Sequence, residues 1–514
     1  MLLSIGRTYG QSDEAQIRAT IQQFIVGTEY NYPDSVASSF YPDTRMFLYT
    51  PADTVWTVSS DTYASWYGRR EPGTRNARYS SLVSLDIVNT VAYAKVQVDI
   101  PSFGNRYSDL LLLKKLPEGW KIVAKATSAE PLPKTPQEWD SRPVQETVLW
   151  DLKKPWSMVF LSEEEALIAE KDGTILLVNL TTNSRTPLEG LPTDVGRAKE
   201  IDTLKYPGEF HPNLHGMTQS FNAGWFQLLL HPDFENEPYL YISYVAEDEE
   251  RASALKVIRG KLEGNQLSDV ETLLLAGPFT HGLFHYGGGM VFGRDGKLYI
   301  TTGERNFYEY NNPPLPTAQN LADPRGKVFR LNPDGSIPKD NPDFGPEAVP
   351  GLYGLGIRAA QGLALHPATG DIWMSEHGTH QGDELNVLQG GGNYGWPYRT
   401  TGRYRTDDYD PQEPEGLEYV DPVHVWNQTV APTGLAFYTG REFPQWQGDL
   451  LVPGLSQGNL WRIRLEGSTV VGQEELFVDQ RTRLRKVILS PRGVLYLLTD
   501  EEEGRLIRVV NKNF

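Results

Sequence analysis

At 514 residues the chain exceeds what one compact core ordinarily serves, so two or more domains or a repeat architecture are expected. Acidic residues outnumber basic ones, 66 against 48, for a net charge of −18; this argues against a sequence-independent nucleic-acid surface, which needs basic side chains to displace counterions. There are no cysteines, which removes disulfides, thiolate nucleophiles and thiolate metal sites and leaves His, Asp, Glu and backbone oxygens as ligands.

No stretch reaches the roughly 18–20 apolar residues that cross a bilayer, so no membrane span is expected. The start, MLLSIGRTYGQSDEA, reads as the trimmed tail of a secretory signal or as an ordinary terminus. On the first reading the mature protein is periplasmic or extracellular.

From Ser12, which fits an N-cap, SDEAQIRATIQQFIVGTEYN sets Ile17, Ile21, Phe24 and Ile25 on one helical face. Its acidic residues fall in the first turn, where the helix dipole favours them. A second short helix and RMFLYTP follow, and then the alternating runs SLVSLDIVNTVAYAKVQVDI and SDLLLLKKLPEGWKIVAKA, the latter folded back through LPEG. Helices followed by an antiparallel meander predict a small α+β domain over residues 12–130. Through its opening helix, FYPDTRMFLY and LLLLKKLPEGWKIV, this half resembles the nuclear-transport-factor-two-like superfamily, in its polyketide-cyclase-like and lumazine-binding-like branches. The resemblance implies a cone-shaped domain, serving as a packing or dimerisation module compatible with a homodimer, or holding a small molecule in the cone. Proline and polar residues in AEPLPKTPQEWDSRP predict a linker, placed at 131–144.

The remainder repeats. A turn ending in Gly, or a Pro-containing equivalent, precedes a β-rich run at KDGTILLVNL, ENEPYLYISYV, GRDGKLYITTGE, ATGDIWMSEHG, WQGDLLVPGL and PRGVLYLLTDE. The expected architecture is therefore mainly β: a six-bladed β-propeller over 145–514, preceded by the small α+β domain. Long insertions such as EIDTLKYPGEFHPNLHGM and NFYEYNNPPLPTAQN would build its rim.

Within this half HGLFHYGGGM spends two of the chain's nine histidines four residues apart, against three glycines. It is followed in order by GKVFRLNPDGSIPKDNP, GIRAAQGLALHPATGDIWMSEHG, GDELNVLQGGGNYGWP, VAPTGLAFYTGREFPQW and TRLRKVILSPRGVLYLLTD. Together these motifs resemble the soluble aldose/glucose (glucose/sorbosone) dehydrogenases, six-bladed propellers that use pyrroloquinoline quinone and calcium on small carbohydrate substrates. The resemblance implies that His285 is the general base on the anomeric hydroxyl, a role suited to a near-neutral imidazole. It places Arg358 over the quinone with Gln361 as a polar contact, and Arg483 and Arg485 on the quinone carboxylates, which guanidinium forks bind through both oxygens. Glu384 and the Tyr394 carbonyl would hold a structural calcium, and the carbonyls of Gly378 and Thr379 a quinone-bound one. The glycines beside His285 would let backbone approach a flat ligand closely.

Three positions depart from the pattern. Ala359 stands for asparagine, Ser456 for lysine, and Asn222 for a glutamine in a glycine-rich stretch. Each lost charge-assisted contact weakens cofactor binding by about 1.5–3 kcal/mol. An alternative chemistry is a transition-metal cluster of His211, His215, His281, His377 and His380, all in loop segments expected at one mouth. His231 and His366, each in an H-P pair, read as structural. Three functions follow: a quinone- and calcium-dependent sugar dehydrogenase, a metal-dependent lyase, dehydratase, isomerase or hydrolase on a carbohydrate-like or secondary-metabolite substrate, and a non-catalytic carbohydrate-binding propeller.

Overall fold

The structure is a computed structural model. It describes the chain except residues 1–12, 30, 51–53, 71, 73–75, 77, 101–102, 133–141, 172, 198–199, 203–217, 221, 306–314, 405–408, 410, 457 and 513–514. The chain divides into two compact units, Met1–Trp139 and Asp140–Phe514.

In the first unit the amphipathic run forms helix α1 (Asp13–Glu29), and Ile17, Ile21, Phe24 and Ile25 are buried as the spacing predicts. Helix α2 (Pro33–Ser39) starts with proline, whose missing N–H costs nothing in a first turn. Helix α3 (Ser60–Ser65) was not anticipated; Ser59 caps it, accepting a hydrogen bond from the Thr62 N–H. One six-stranded sheet completes the unit, with the parallel pair Arg45–Leu48 and Gly119–Pro131 joining its first strands to the meander. Alternation on Val91–Ile100 and Asn105–Leu116 turns Ala92, Ala94, Val96, Leu111 and Leu113 into the core shared with α1.

The second unit is built from six four-stranded antiparallel sheets. The first strands of these sheets are Pro155–Phe160, Trp225–Leu230, Gly287–Phe292, Ala360–Leu365, Ala436–Phe437 and Leu484–Leu489. Each touches the first strand of the next sheet, and the last touches the first. Apolar layers fill the space between successive sheets. Tyr241 and Val257 of the second sheet meet Met290 and Ile300 of the third, and Leu498 and Leu506 of the sixth meet Met158 and Ile168 of the first. The fourth strand of the sixth sheet is Pro143–Leu152, from the start of the unit, paired with Gly504–Asn511 from its end. The cycle of contacts is thus tied by hydrogen bonds between the two ends of the unit.

Five of the six repeated runs fall on second strands; KDGTILLVNL instead falls on the third strand of the first sheet, Ile175–Asn179. Its second strand, Glu165–Glu170, lacks the glycine turn and so escaped the pattern.

The glycines of HYGGG are needed for packing within and between the sheets. Gly287 and Gly288 have φ of +77° and +95°, where side chains are strained. A Cβ on Gly289 would sit 3.1 Å from the Gln361 carbonyl of the neighbouring first strand and 3.0 Å from Thr301 Oγ1.

Leu149 lies on the tying strand and is buried in the layer between the sixth and first sheets. Leu149→Ala is expected to lower unfolding stability by about 2–5 kcal/mol, read from the urea midpoint.

Candidate functional site

The register of the third sheet sets Gly287 opposite Thr302, and two residues beyond, His285 meets Glu304. Nδ1 of His285 lies 2.7 Å from Glu304 Oε1, with the imidazole 15% and the carboxylate 1% exposed. A carboxylate only accepts, so Nδ1 carries the proton and Nε2 is the basic nitrogen. His285 has φ of +55°, a left-handed conformation that its surroundings must enforce. Arg305 does so. Its N–H donates to the His285 carbonyl at 3.2 Å, its guanidinium donates to the carbonyls of Phe284 and Ser253, and it stacks 3.7 Å over the Tyr286 ring.

Glu304 also joins His285 to the next sheet, because its backbone N–H donates to the Arg358 carbonyl at 3.0 Å. The Arg358 guanidinium donates to the Gly378 carbonyl at 2.6 Å and the His377 carbonyl at 3.3 Å, and lies 5.1 Å from the Trp396 ring. The Gly378 carbonyl expected to ligate a quinone-bound calcium is therefore engaged by a guanidinium, and the Thr379 hydroxyl donates to the Arg403 carbonyl. The guanidinium thus supplies positive charge at the Gly378 carbonyl where a calcium was expected. Ala359 is buried, its carbonyl accepting from the His377 N–H. Asp383 pins the surrounding loops: Oδ1 accepts from the Gly378 N–H, and Oδ2 from those of Val430 and Ala431.

Arg483 and Arg485 come together as expected, but on a carboxylate of this chain. Asp500 accepts from Arg483 through Oδ2 and from Arg485 through Oδ1, at 2.7–3.1 Å. Burial works against the Asp500 charge, yet the two guanidiniums hold its pKa down at about 2. Arg485 stacks 3.8 Å over Trp156 and donates to Gln361 Oε1 at 2.8 Å. A cavity beside this pair is lined by Trp156, Ser157, Gln227, Gln361, Thr433 and Lys486. Asn222 stands next to the His285 loop, its N–H donating to the Leu283 carbonyl, and Ser456 is exposed.

Glu384 and Glu376 are cross-strand partners in the fourth sheet. Burial, reinforced by the Glu384 charge, pushes Glu376 up to about 8 despite hydrogen bonds from the backbone of Arg358 and Ala359. Burial raises Glu384 as well. On the same strand face the buried Asn386 Oδ1 has no hydrogen-bond partner among the described residues. Two carboxylates short of counter-charge and an orphaned amide oxygen make an oxygen donor set suited to a hard cation. Tyr394 is buried nearby, its hydroxyl accepting from the Gln389 N–H.

The transition-metal cluster is corrected. Among the described residues no group of three or more His, Asp or Glu side chains is placed to hold a metal. His281 faces the Glu250 carbonyl, burial keeps His377 low while its Nε2 donates to the Pro432 carbonyl, and His380 is exposed. His211 and His215 lie outside the described residues. His366 Nδ1 accepts from the Ala368 and Thr369 N–H groups and His231 Nδ1 from the Asp233 N–H, both structural roles.

Glu304, Arg305, Asp383 and Asp500 were not anticipated. Glu304 had a usable signal: once KLYITTGE is paired against GGGMVF, the register sets Glu304 beside His285. Asp500 had none, since it lies fifteen residues from Arg485 in a run of acids.

The site therefore holds an imidazole oriented by a buried carboxylate, and its loop is tied by backbone hydrogen bonds to the Arg358 strand of the next sheet. Residues 152–508 match the glucose/sorbosone dehydrogenase family, and the chain belongs to it. Residues 12–128 match the putative lumazine-binding family. The aldose sugar dehydrogenase YliI of Escherichia coli is 32% identical, over 70% of this chain and 91% of that one. Quinoprotein glucose dehydrogenase B of Acinetobacter calcoaceticus is 30% identical, over 69% and 85%. The PQQ-bound aldose sugar dehydrogenase of Streptomyces coelicolor is similar in structure, with a TM-score of 0.54 at 25% identity, over 72% and 98%. These relatives do not favour the lyase or non-catalytic readings. Among the described residues no helix is long and apolar enough to cross a membrane.

The raised Glu376 pKa has a stability consequence. Below the unfolded value near 4.5 the carboxyl is neutral in both states; as pH rises towards 8 the fold must hold a proton or a buried charge, and stability is lost. Glu376→Gln should therefore raise the Tm of metal-free protein more at pH 8 than at pH 5, measured by thermal melts.

Proposed function

We propose that this chain is a sugar dehydrogenase using pyrroloquinoline quinone, with His285 as the base, built on a six-bladed β-propeller. The ring reading is supported by the cycle of first-strand contacts and the apolar layer between each successive pair of sheets. The observation that carries the chemistry is the 2.7 Å contact of His285 Nδ1 with Glu304 in a chain of this family. The names of the relatives bring an aldose as substrate class and the quinone as cofactor class.

The residue types present fit an anionic cofactor: the guanidiniums of Arg483 and Arg485 lie side by side on Asp500, and Arg485 is bonded to the Gln361 amide. Gln361, Arg485, Arg358 and Asn222 would hold it. When bound, the quinone would supply a two-electron acceptor for hydride released at the anomeric carbon. Nε2 of His285 receives the proton of the anomeric hydroxyl. Glu304 fixes the tautomer and stabilises the imidazolium that forms, from a carboxylate shielded from water. Arg305 and the Glu304–Arg358 backbone bond hold the ring in its left-handed loop. Calcium is assigned to Glu384, Glu376 and Asn386, where it would neutralise two buried carboxylates; no calcium is assigned to Gly378.

Protein supplied with quinone and calcium is expected to reduce a dye in the presence of aldoses. His285→Ala should lower kcat by about 10²–10⁴-fold, and Glu304→Gln by about 10²-fold or more, through the lost tautomer control. Quinone-loaded protein that oxidises no aldose would overturn the reading.

A further inference from the structure

Lys327 opens the third strand of the third sheet, and its side chain is fully buried. The charges that act on it are those of Asp323 and Arg325, which are paired with each other. Its ammonium donates instead to three backbone carbonyls, those of Thr317 and Arg325 at 2.7 Å and that of Ala318 at 3.1 Å. Carbonyl oxygens turned to one point repel one another unless positive charge sits among them, and an ammonium has one donor for each of the three. Burial brings the Lys327 pKa down to about 7, so the charged form prevails in mildly acidic solution. The lysine supplies from within the chain what a bound cation supplies to a ring of carbonyls elsewhere.

The segment 316–326 that carries these carbonyls is bonded to the backbone just ahead of Arg358. The Ala318 carbonyl also accepts from the Gly356 N–H at 2.9 Å, and the Gly326 carbonyl accepts from the Ile357 N–H at 3.1 Å. A Cβ on Gly326 would meet the Ile357 carbonyl at 2.7 Å, so the approach is close. Gln319 Nε2 donates to the Trp396 carbonyl at 2.7 Å, and the Trp396 N–H donates to the Gly356 carbonyl at 3.0 Å. Arg358 comes next, its guanidinium 5.1 Å from the Trp396 ring and its carbonyl bonded to the Glu304 N–H. The backbone before Arg358 and the ring beside it are thus both held by the segment that the ammonium gathers.

We propose that Lys327 is a positioning residue: as an internal cation it holds residues 316–326 in the form that sets the backbone ahead of Arg358, and so aligns that guanidinium for the quinone. This rests on the quinone reading above and deepens it. No covalent step is involved.

Two measurements on Lys327→Met test it, both in mildly acidic buffer. In apo-protein, amide hydrogen exchange read by mass spectrometry should rise about tenfold or more across Gly356 and Ile357, and stay within about twofold of wild type at Leu450–Pro453 of the fifth sheet. Titration with pyrroloquinoline quinone, followed by tryptophan quenching, should show an affinity about five- to fifty-fold weaker. In an Arg358→Met background the same substitution should cost less than about twofold, because the group it acts through is gone. A loss from general destabilisation would repeat in both backgrounds. Lys327→Gln, whose amide can donate to two of the three carbonyls, should fall between wild type and Lys327→Met, and takes the place of the latter if that variant does not fold. Unchanged exchange at Gly356 and Ile357, equal losses of affinity in the two backgrounds, or failure of both variants to fold overturns the role of Lys327 and leaves the quinone reading standing. Wild type that binds no quinone, or Arg358→Met that binds it as wild type does, overturns the reading of Arg358 as a cofactor contact, and this inference with it.

Discussion

The contact of each sheet's first strand with that of the next, running on from the sixth back to the first, is the constraint on which the second unit depends. Backbone packs against neighbouring backbone there, so a side chain is excluded at chosen places, as at Gly289. Once the strands are drawn together, the residues at their N-terminal ends must share one small space. His285, Arg358, Gln361 and Arg485 are separated by up to two hundred residues in sequence, yet short links join them in two sets. One runs from His285 through Glu304 to Arg358 and the Gly378 carbonyl. The other runs from Gln361 through Arg485 to Asp500 and Arg483.

Charge is divided unevenly across this end of the molecule. Asp500 answers two arginines, and Glu304 stands ready for an imidazolium. Lys486 has no carboxylate beside it, while Glu376 and Glu384, facing one another around the Asn386 oxygen, are both pushed by burial towards holding a proton. Low dielectric makes both imbalances consequential, because water is not there to screen them. A hard cation that displaces those protons is the complement the carboxylate pair asks for. The guanidinium on Gly378 shows that positive charge is already supplied at the carbonyl where a second calcium was anticipated.

Much of this was legible in the sequence because period and turn chemistry are local properties. The 3.6-residue spacing of Ile17, Ile21 and Phe24 and the alternation in AYAKVQV report directly which side chains face a core. Glycine turns marked four second strands and a proline turn a fifth, and the pattern failed only where SEEEALIAE enters its strand without either. The site was half legible. Residue types and motif order singled out His285, Arg358, Gln361, Arg483 and Arg485. What escaped was what each of them touches: Asp500 clamps both arginines, Glu304 orients the histidine, and a bulge brings Lys486 round to the side of Arg485. Such pairings are set by register and bulges across distant strands. The histidine cluster failed for the same reason, since closeness in loop segments does not fix where rings point; His377 turned to a carbonyl and His380 to the surface.

The account stands on the His285 imidazole acting as a base rather than merely binding. A stopped-flow single turnover is the direct test: mix quinone-loaded protein with excess aldose and follow the visible band of the oxidised cofactor, in wild type and His285→Ala. The prediction is equal cofactor spectra before mixing, rapid bleaching in wild type, and bleaching slowed by at least two orders of magnitude in the variant. A variant that bleaches at the wild-type rate would contradict it.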